Sequence, residues 1–252
     1  MQVDLKGKVA LVTGGGRDIG RAVSIAFARC GAAVAVNYNT SADKANEVVR
    51  KIETNGGRAI AIKGDVTSEA QISAMVGGIT GQFGDTIDIL VNNAGGLLAR
   101  KKLDEMDERF WDTVIALNLK SVFLVTKAVV PRMTNGGTIV NLSSLAARDG
   151  GGGGALAYSA AKGAVLTLTR GLSKELAPKK IRVNCVSPGL IDTTFHDTFT
   201  APEVRKMVAG RTSIGREGTP EDVANSVLFL ASEASAYITG ESIEINGGMY
   251  FV

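Results

Sequence analysis

Seven short runs of nearly unbroken apolar and β-branched residues recur along this chain, and that recurrence limits what it can fold into. They are KVALVTG (8–14), AAVAVNY (32–38), RAIAIKGDV (58–66), IDILVNNAG (87–95), GTIVNLSS (137–144), IRVNCVSPG (181–189) and ESIEING (241–247). A strand with one face in water alternates apolar and polar residues, whereas a strand covered on both faces does not. The spacing predicts helices between them at 18–30, 41–55, 68–83, 107–133, 156–177 and 220–231. Thr219-Pro220 has an N-cap residue before a proline at the first helical position. Gly31 and Gly56 stand where helix C-caps belong, and Pro131 and Pro178 mark helix ends. Strands alternating with helices imply right-handed crossovers and helices on both faces of one parallel sheet. The expected fold is a single-domain α/β structure over 1–252, a doubly wound (Rossmann-type) parallel seven-stranded sheet.

Composition removes several function classes. The 28 Lys and Arg against 25 Asp and Glu leave a formal charge of +3, scattered along the chain. No basic cluster with interleaved aromatics exists, so no nucleic-acid partner is expected. Cys30 and Cys185 lie in apolar runs and read as buried thiols of a reducing compartment. No Cys/His/carboxylate spacing indicates a metal. MQVDLKGKVALVTGG lacks a signal-peptide pattern. The apolar stretch 111–131 is interrupted by Asn118, Lys120 and Lys127, a buried helix rather than a membrane span. A cytoplasmic protein without a membrane partner is expected.

VTGGGRDIGRAV (12–23) joins the first strand to the first helix. Small residues there let the backbone approach a pyrophosphate, whose charge meets the helix N-terminus. The pattern is T-G-x-x-x-G-x-G with Asp18 in place of the middle glycine, which adds a negative charge beside the loop. The second strand ends VAVNYNTS, with Asn37 and no carboxylate before Asp43. The missing acid there removes one source of repulsion against a 2′-phosphate, and Arg17 offers it a positive partner, while Asp18 works against this preference. NADP(H) is favoured, with NAD(H) the alternative.

Tyr158 and Lys162 stand four residues apart on one face of a helix. A nearby ammonium favours phenolate and would pull the tyrosine towards working pH, where it can exchange a proton with a carbonyl oxygen. Ser143 and Ser144 end the fifth strand, NNAG (92–95) ends the fourth, and SPGLIDT (187–193) follows the sixth. All fall on the carboxyl edge of the sheet, where doubly wound folds bind ligands. Asn118 is a polar residue in an apolar helix and needs a hydrogen-bond partner.

With TGGGRDIG, GDV (64–66), NNAG, Asn118, NLSS, YSAAK, SPG and ITGESIEINGG in this order, the chain resembles the short-chain dehydrogenase/reductase family over its whole length. The resemblance implies hydride transfer between a nicotinamide and a carbonyl or secondary alcohol. It makes Tyr158 the acid/base, with Lys162 lowering its pKa and holding the nicotinamide ribose. Ser144, the second serine of its pair as is usual there, would bond the substrate oxygen, and Asn118 would support a water chain. It implies cofactor contacts from Gly14, Arg17, Ile19, Gly20, Asn37, Asp65, Val66, Asn92, Gly95, Tyr158, Lys162, Pro188, Gly189 and Thr193. Family members pair two apolar helices across dimer axes, so a homotetramer is expected. A catalytically inactive nucleotide-binding regulator is the reading from another class, against which both Tyr158 and Lys162 stand intact.

The substrate is less legible. Residues 190–218 read as a long, mobile lid that contains His196, the only histidine. Arg100, Lys101, Lys102 and Arg148 are either a solvated rim or, if they face the pocket, a sign of an anionic substrate. VNYNTS and TPEDVANSVLFLASEASAYITG resemble 3-oxoacyl-acyl-carrier-protein reductases. NNAGGLLARKKL, the five glycines 150–154 and SPGLIDTTFH resemble reductases of keto-sugar acids, so both substrate classes stay open. The glycines read as pocket wall rather than linker, because Ser144 and Tyr158 flank them.

Overall fold

The computed structural model describes residues 3–252. Its strands are β1 Val9–Val12, β2 Ala33–Tyr38, β3 Arg58–Lys63, β4 Ile89–Asn92, β5 Gly137–Leu142, β6 Ile181–Pro188 and β7 Ser242–Ile245. They form one parallel sheet in the order β3-β2-β1-β4-β5-β6-β7. The expected α/β fold is the observed one.

Strand periodicity sorts the core into two layers. Ala10 and Val12 of β1, with Val34 and Val36 of β2, pack against α1 (Asp18–Arg29), α2 (Ala42–Thr54) and α10 (Pro220–Ala231). Val9 and Leu11, with Ala33 and Ala35, face the other way, onto α3 (Glu69–Phe83) and α5 (Ser121–Val129). Both sides of every central strand are therefore dry, which is why the runs do not alternate. At α10 the Thr219 hydroxyl accepts from the Asp222 amide at 3.2 Å while Asp222 accepts from the Thr219 amide at 2.8 Å. That reciprocal pair starts the helix where the sequence predicts.

The expected helix 107–133 is α4 (Glu108–Ile115), a π segment at Ala116–Lys120, then α5 and a 3-10 turn at Val130–Arg132. Its most apolar window has mean hydropathy 1.7, enough by composition to cross a membrane. Here it packs beside α3, β4 and α7 (Leu156–Glu175). Three helices go beyond the sequence reading: α6 (Ala146–Asp149), α8 (Thr194–Phe199) and α9 (Pro202–Arg211). The last two give the expected 190–218 lid segment helical structure. Arg205 of α9 bonds Asp192 and Asp197, each at 2.5 Å, and Glu217 at 2.8 Å, fastening the segment at both ends.

Candidate active site

Strand order reverses between β1 and β4, and a cavity of about 860 Å³ opens at the carboxyl ends beside that point. One end is built by the glycine turn between β1 and α1. A Cβ on Gly20 would lie 2.6 Å from the Asn93 amide nitrogen, so no side chain fits. The turn therefore leaves bare backbone against the cavity, and the first-turn amides of Asp18, Ile19 and Gly20 have no helical acceptor. That cradle fits a pyrophosphate. Beyond it the wall is Arg17, Tyr38, Asn39, Thr40, Ser41, Asp65 and Val66, with no acid at the end of β2. Asp65 accepts from the Thr67 amide at 2.8 Å and hydroxyl at 2.7 Å, which shapes the turn after β3.

Asn37 borders this cavity, yet its side chain is spent on the protein. Its Oδ1 accepts from the Gly14 amide at 3.2 Å and its Nδ2 donates to the Gly64 carbonyl at 3.0 Å. It ties the glycine turn to the end of β3 from the cavity wall. Asn92 is a correction, since it does not line the cavity. It is the last residue of β4, and its side chain is buried in a chain of amides, donating to Thr126 Oγ1 at 3.1 Å and Asn141 Oδ1 at 2.9 Å. The next residue takes the opposite direction. Asn93 lines the cavity and donates to the carbonyls of Thr13 (2.8 Å) and Gly14 (3.1 Å).

Asp18 behaves differently from the expectation of a bare charge at the phosphate turn. It holds φ at +49°, and its carboxylate accepts from the Thr194 amide at 3.2 Å and the Thr194 hydroxyl at 2.5 Å. The acid thus joins the glycine turn to the first residue of α8, across the mouth of the cavity.

At the other end, Tyr158 and Lys162 lie one turn apart on α7, Lys162 buried and Tyr158 half-buried on the cavity wall. Lys162 Nζ donates to the Leu142 carbonyl at 2.8 Å and lies 5.7 Å from the centre of the Tyr158 ring. Burial pushes the Tyr158 hydroxyl above its usual range, opposed by a hydrogen bond with Ser144. The ammonium bonds the Leu142 carbonyl rather than the phenol, and desolvation is the largest influence on the tyrosine. The same burial lowers Lys162 to about 8. The two serines separate cleanly. Ser143 donates to the Lys162 carbonyl at 2.8 Å and supports the helix, leaving Ser144 as the serine free to act beside Tyr158 in the cavity.

Asn118 lies in the π segment, fully buried. Its Oδ1 accepts from the Gly96 amide and its Nδ2 donates to the Gly96 and Val114 carbonyls, each at 2.9 Å. Every polar atom of this side chain is used in holding the turn after β4 against the helix. A Cβ on Gly95 would come 2.7 Å from Asn118 Oδ1 and 3.2 Å from Lys162 Nζ, so only glycine lets the three meet. Gly14, Ile19, Pro188, Gly189 and Thr193 also line the cavity, and the Thr193 hydroxyl donates to the Ile191 carbonyl at 3.1 Å.

The lid brings aromatics that the sequence reading missed. The Phe195 ring centre is 5.9 Å from that of Tyr158, and Phe199 stacks edge-on behind it at 5.2 Å. His196 touches Phe195 and bonds Thr200 Oγ1 at 2.9 Å. Burial, then Arg205 and Arg100, push it down to about 4, so it is neutral at physiological pH. Of the four basic residues in question, Arg100 alone lines the cavity. Lys101 sits over the Phe110 ring at 4.8 Å, Lys102 caps a 3-10 turn, and Arg148 is neutralised by Glu244 at 3.0 Å. Among the described residues no His/Cys/Asp/Glu group is arranged to hold a metal.

Residues 14–250 match the family model described as Enoyl-(Acyl carrier protein) reductase. With Ser144, Tyr158 and Lys162 gathered in one cavity of a parallel sheet, that match decides the assignment. The chain belongs to the short-chain dehydrogenase/reductase family. This short-chain dehydrogenase/reductase is 41% identical to the 3-oxoacyl-[acyl-carrier-protein] reductase FabG of Staphylococcus aureus, over 96% of this chain and 98% of that protein. It is 41% identical to the 3-oxoacyl-[acyl-carrier-protein] reductase of a Synechocystis species, over 97% and 98% of the two chains. A 7α-hydroxysteroid dehydrogenase solved with NADH and 7-oxo glycochenodeoxycholic acid superposes with a TM-score of 0.93 at 36% identity, covering 98% of this chain and 96% of the other. As a member of this family the protein is an NAD(P)-dependent oxidoreductase acting between a carbonyl and an alcohol.

Proposed function

We propose that the protein reduces the ketone of 3-oxoacyl compounds with NADPH, as a homotetramer in the cytoplasm. The observation that carries this reading is that Ser144, Tyr158 and Lys162 line the same cavity as the glycine turn, with desolvation holding the Tyr158 hydroxyl above its usual range. A phenol held above its usual pKa keeps its proton at neutral pH, which suits a proton donor. Ser144 and Tyr158 would both bond the substrate oxygen. Tyr158 then gives its proton to that oxygen as negative charge develops on it. Lys162, cationic below about pH 8, would stabilise the phenolate left behind and would bond the nicotinamide ribose. Asn118 keeps the Gly95–Gly96 turn in place beneath them. The bound dinucleotide supplies the hydride to the ketone carbon.

Arg17 and the absence of an acid at the end of β2 support NADPH over NADH. The relatives named as 3-oxoacyl reductases support the substrate class. The test is NADPH oxidation with a 3-oxoacyl thioester, set against NADH. Arg17→Ala is expected to raise the KM for NADPH about tenfold or more while sparing NADH, since a guanidinium–phosphate bond is worth about 1.5–3 kcal/mol. Equal effects on both cofactors would remove the 2′-phosphate assignment. Binding of NADPH without turnover of any carbonyl would favour the inactive-regulator alternative.

A further inference from the structure

Two of the five glycines, Gly152 and Gly154, are fitted against Arg100. A Cβ on Gly154 would lie 2.8 Å from Arg100 Cβ and 2.9 Å from the Lys101 amide, and one on Gly152 would come within 3.3 Å of Arg100 Nη1. In turn, Arg100 Nη1 donates to the Gly153 carbonyl at 2.8 Å and Nε donates to the Phe199 carbonyl of α8 at 3.0 Å. The side chain thus bridges the glycine loop and the lid along the wall of the cavity that holds Ser144 and Tyr158.

Both of these acceptors are neutral. Among the described residues no carboxylate pairs with Arg100, whereas Arg148, Arg205 and Arg216 each have one. Asp149, the acid that lines the same end of the cavity, accepts from the Gly151 amide at 2.8 Å and makes no ion pair. Arg100 is exposed, and guanidinium has five N–H groups in a fixed fork, so two bonds to carbonyls hold it in place while the other donors stay open to the solvent-filled cavity. Nη2 makes no hydrogen bond within the protein among those of Arg100. The lowered His196 reports the same positive field from Arg100 and Arg205.

We infer that Arg100 is a specificity residue that binds a carboxylate on the substrate, which makes the preferred substrate of this site a ketone bearing a free acid. Held at two points, the fork is pre-organised and loses little entropy when it meets a carboxylate. The inference rests on the carbonyl-reductase reading of the site and departs from its thioester substrate, which has no free carboxylate for Arg100, in favour of an anionic oxo acid.

The experiment compares acids with their own esters: acetoacetate with methyl acetoacetate, and levulinate with methyl levulinate, two lengths between ketone and acid. The quantity read is the acid-to-ester ratio of kcat/KM with NADPH. In the unsubstituted protein the ratio is expected to exceed one for at least one pair. Arg100→Leu should lower that ratio about tenfold or more, as loss of a charge-assisted hydrogen bond predicts. Arg100→Lys, which keeps the charge without the fork, should fall between. A purely structural role in holding the loop to the lid would slow acid and ester alike and leave the ratio unchanged, which would overturn the inference. So would a preference for the ester in both pairs. Should the protein turn over neither member, the carbonyl reading fails separately. Calorimetric binding of the two acids to the NADPH complex of each variant then decides the role of Arg100, with equal affinities overturning it.

Discussion

Tyr158 and Lys162 are shifted in opposite senses by one cause, since burial disfavours phenolate and ammonium alike. Tyr158→Phe removes the only hydroxyl placed to give up a proton there. It is expected to cost about 10²–10⁴ in kcat while NADPH still binds, measured by steady-state kinetics alongside fluorescence titration. Lys162, lowered to about 8, should impose a fall in kcat/KM for reduction as the pH rises past that value. The sign for stability is the reverse. The unfolded lysine stays charged to about pH 10.5, so the folded protein bears an uncompensated charge below about pH 8 and is relieved of it between those values. Lys162→Met should therefore raise the melting temperature at pH 7 by the equivalent of at most roughly 3 kcal/mol and lose that advantage by pH 10.5. Differential scanning calorimetry across pH checks it. The pairing of Tyr158 with Lys162 was readable from their i, i+4 spacing; the direction of the tyrosine shift was not, because it depends on desolvation by residues distant in the chain.

The elements were legible wherever a local signal repeats. Capping at Thr219 and the apolar period of the long helix placed α10 and the 107–133 run in the sequence. The π segment at Ala116–Lys120 escaped, because a five-residue widening leaves the apolar pattern almost unchanged. It is the segment that carries Asn118. The lid helices escaped for a different reason. Their stability comes from Asp18 at Thr194 and from Arg205 with its three acids, contacts with no helical periodicity to announce them. The glycine loop offers a direct test at this scale. Gly154 has φ +75° and no space for a Cβ, while Gly153 has open space and no left-handed backbone. Gly154→Ala should destabilise by about 1–3 kcal/mol in urea unfolding and Gly153→Ala by far less. Equal effects would mean that the run is only a flexible spacer.

At the scale of the molecule, the seven-stranded parallel sheet brings the ends of β1, β4, β5 and β6 to one edge, and with them residues as distant as Gly14 and Thr193. The expected tetramer draws on apolar groups that the chain leaves open. Phe123 on α5 is 49% exposed, Leu156 at the start of α7 45% and Trp111 on α4 37%. Large apolar side chains grouped on such helices mark a surface to be covered by another copy. Phe123→Glu is expected to shift sedimentation velocity from the tetramer to a smaller species, with the thermal transition of the protomer retained. A monomer in the unsubstituted protein would refute the assembly.

The sequence by itself determined the doubly wound fold, the edge at which ligands meet and the pairing of Tyr158 with Lys162 on one helix face, while Ser144 was named by its family resemblance. The first three are written in local signals: strand runs without alternation, a glycine turn before a helix, an i, i+4 pair. Only the tertiary structure decided which members of similar neighbours face the cavity, Asn93 rather than Asn92 and Arg100 rather than Lys101, Lys102 or Arg148. It also turned Asp18 from a charge beside the phosphate turn into a tie to the lid. The physical reason is that a side chain's direction and its partners are set by packing between segments far apart in the chain, and no local pattern records them.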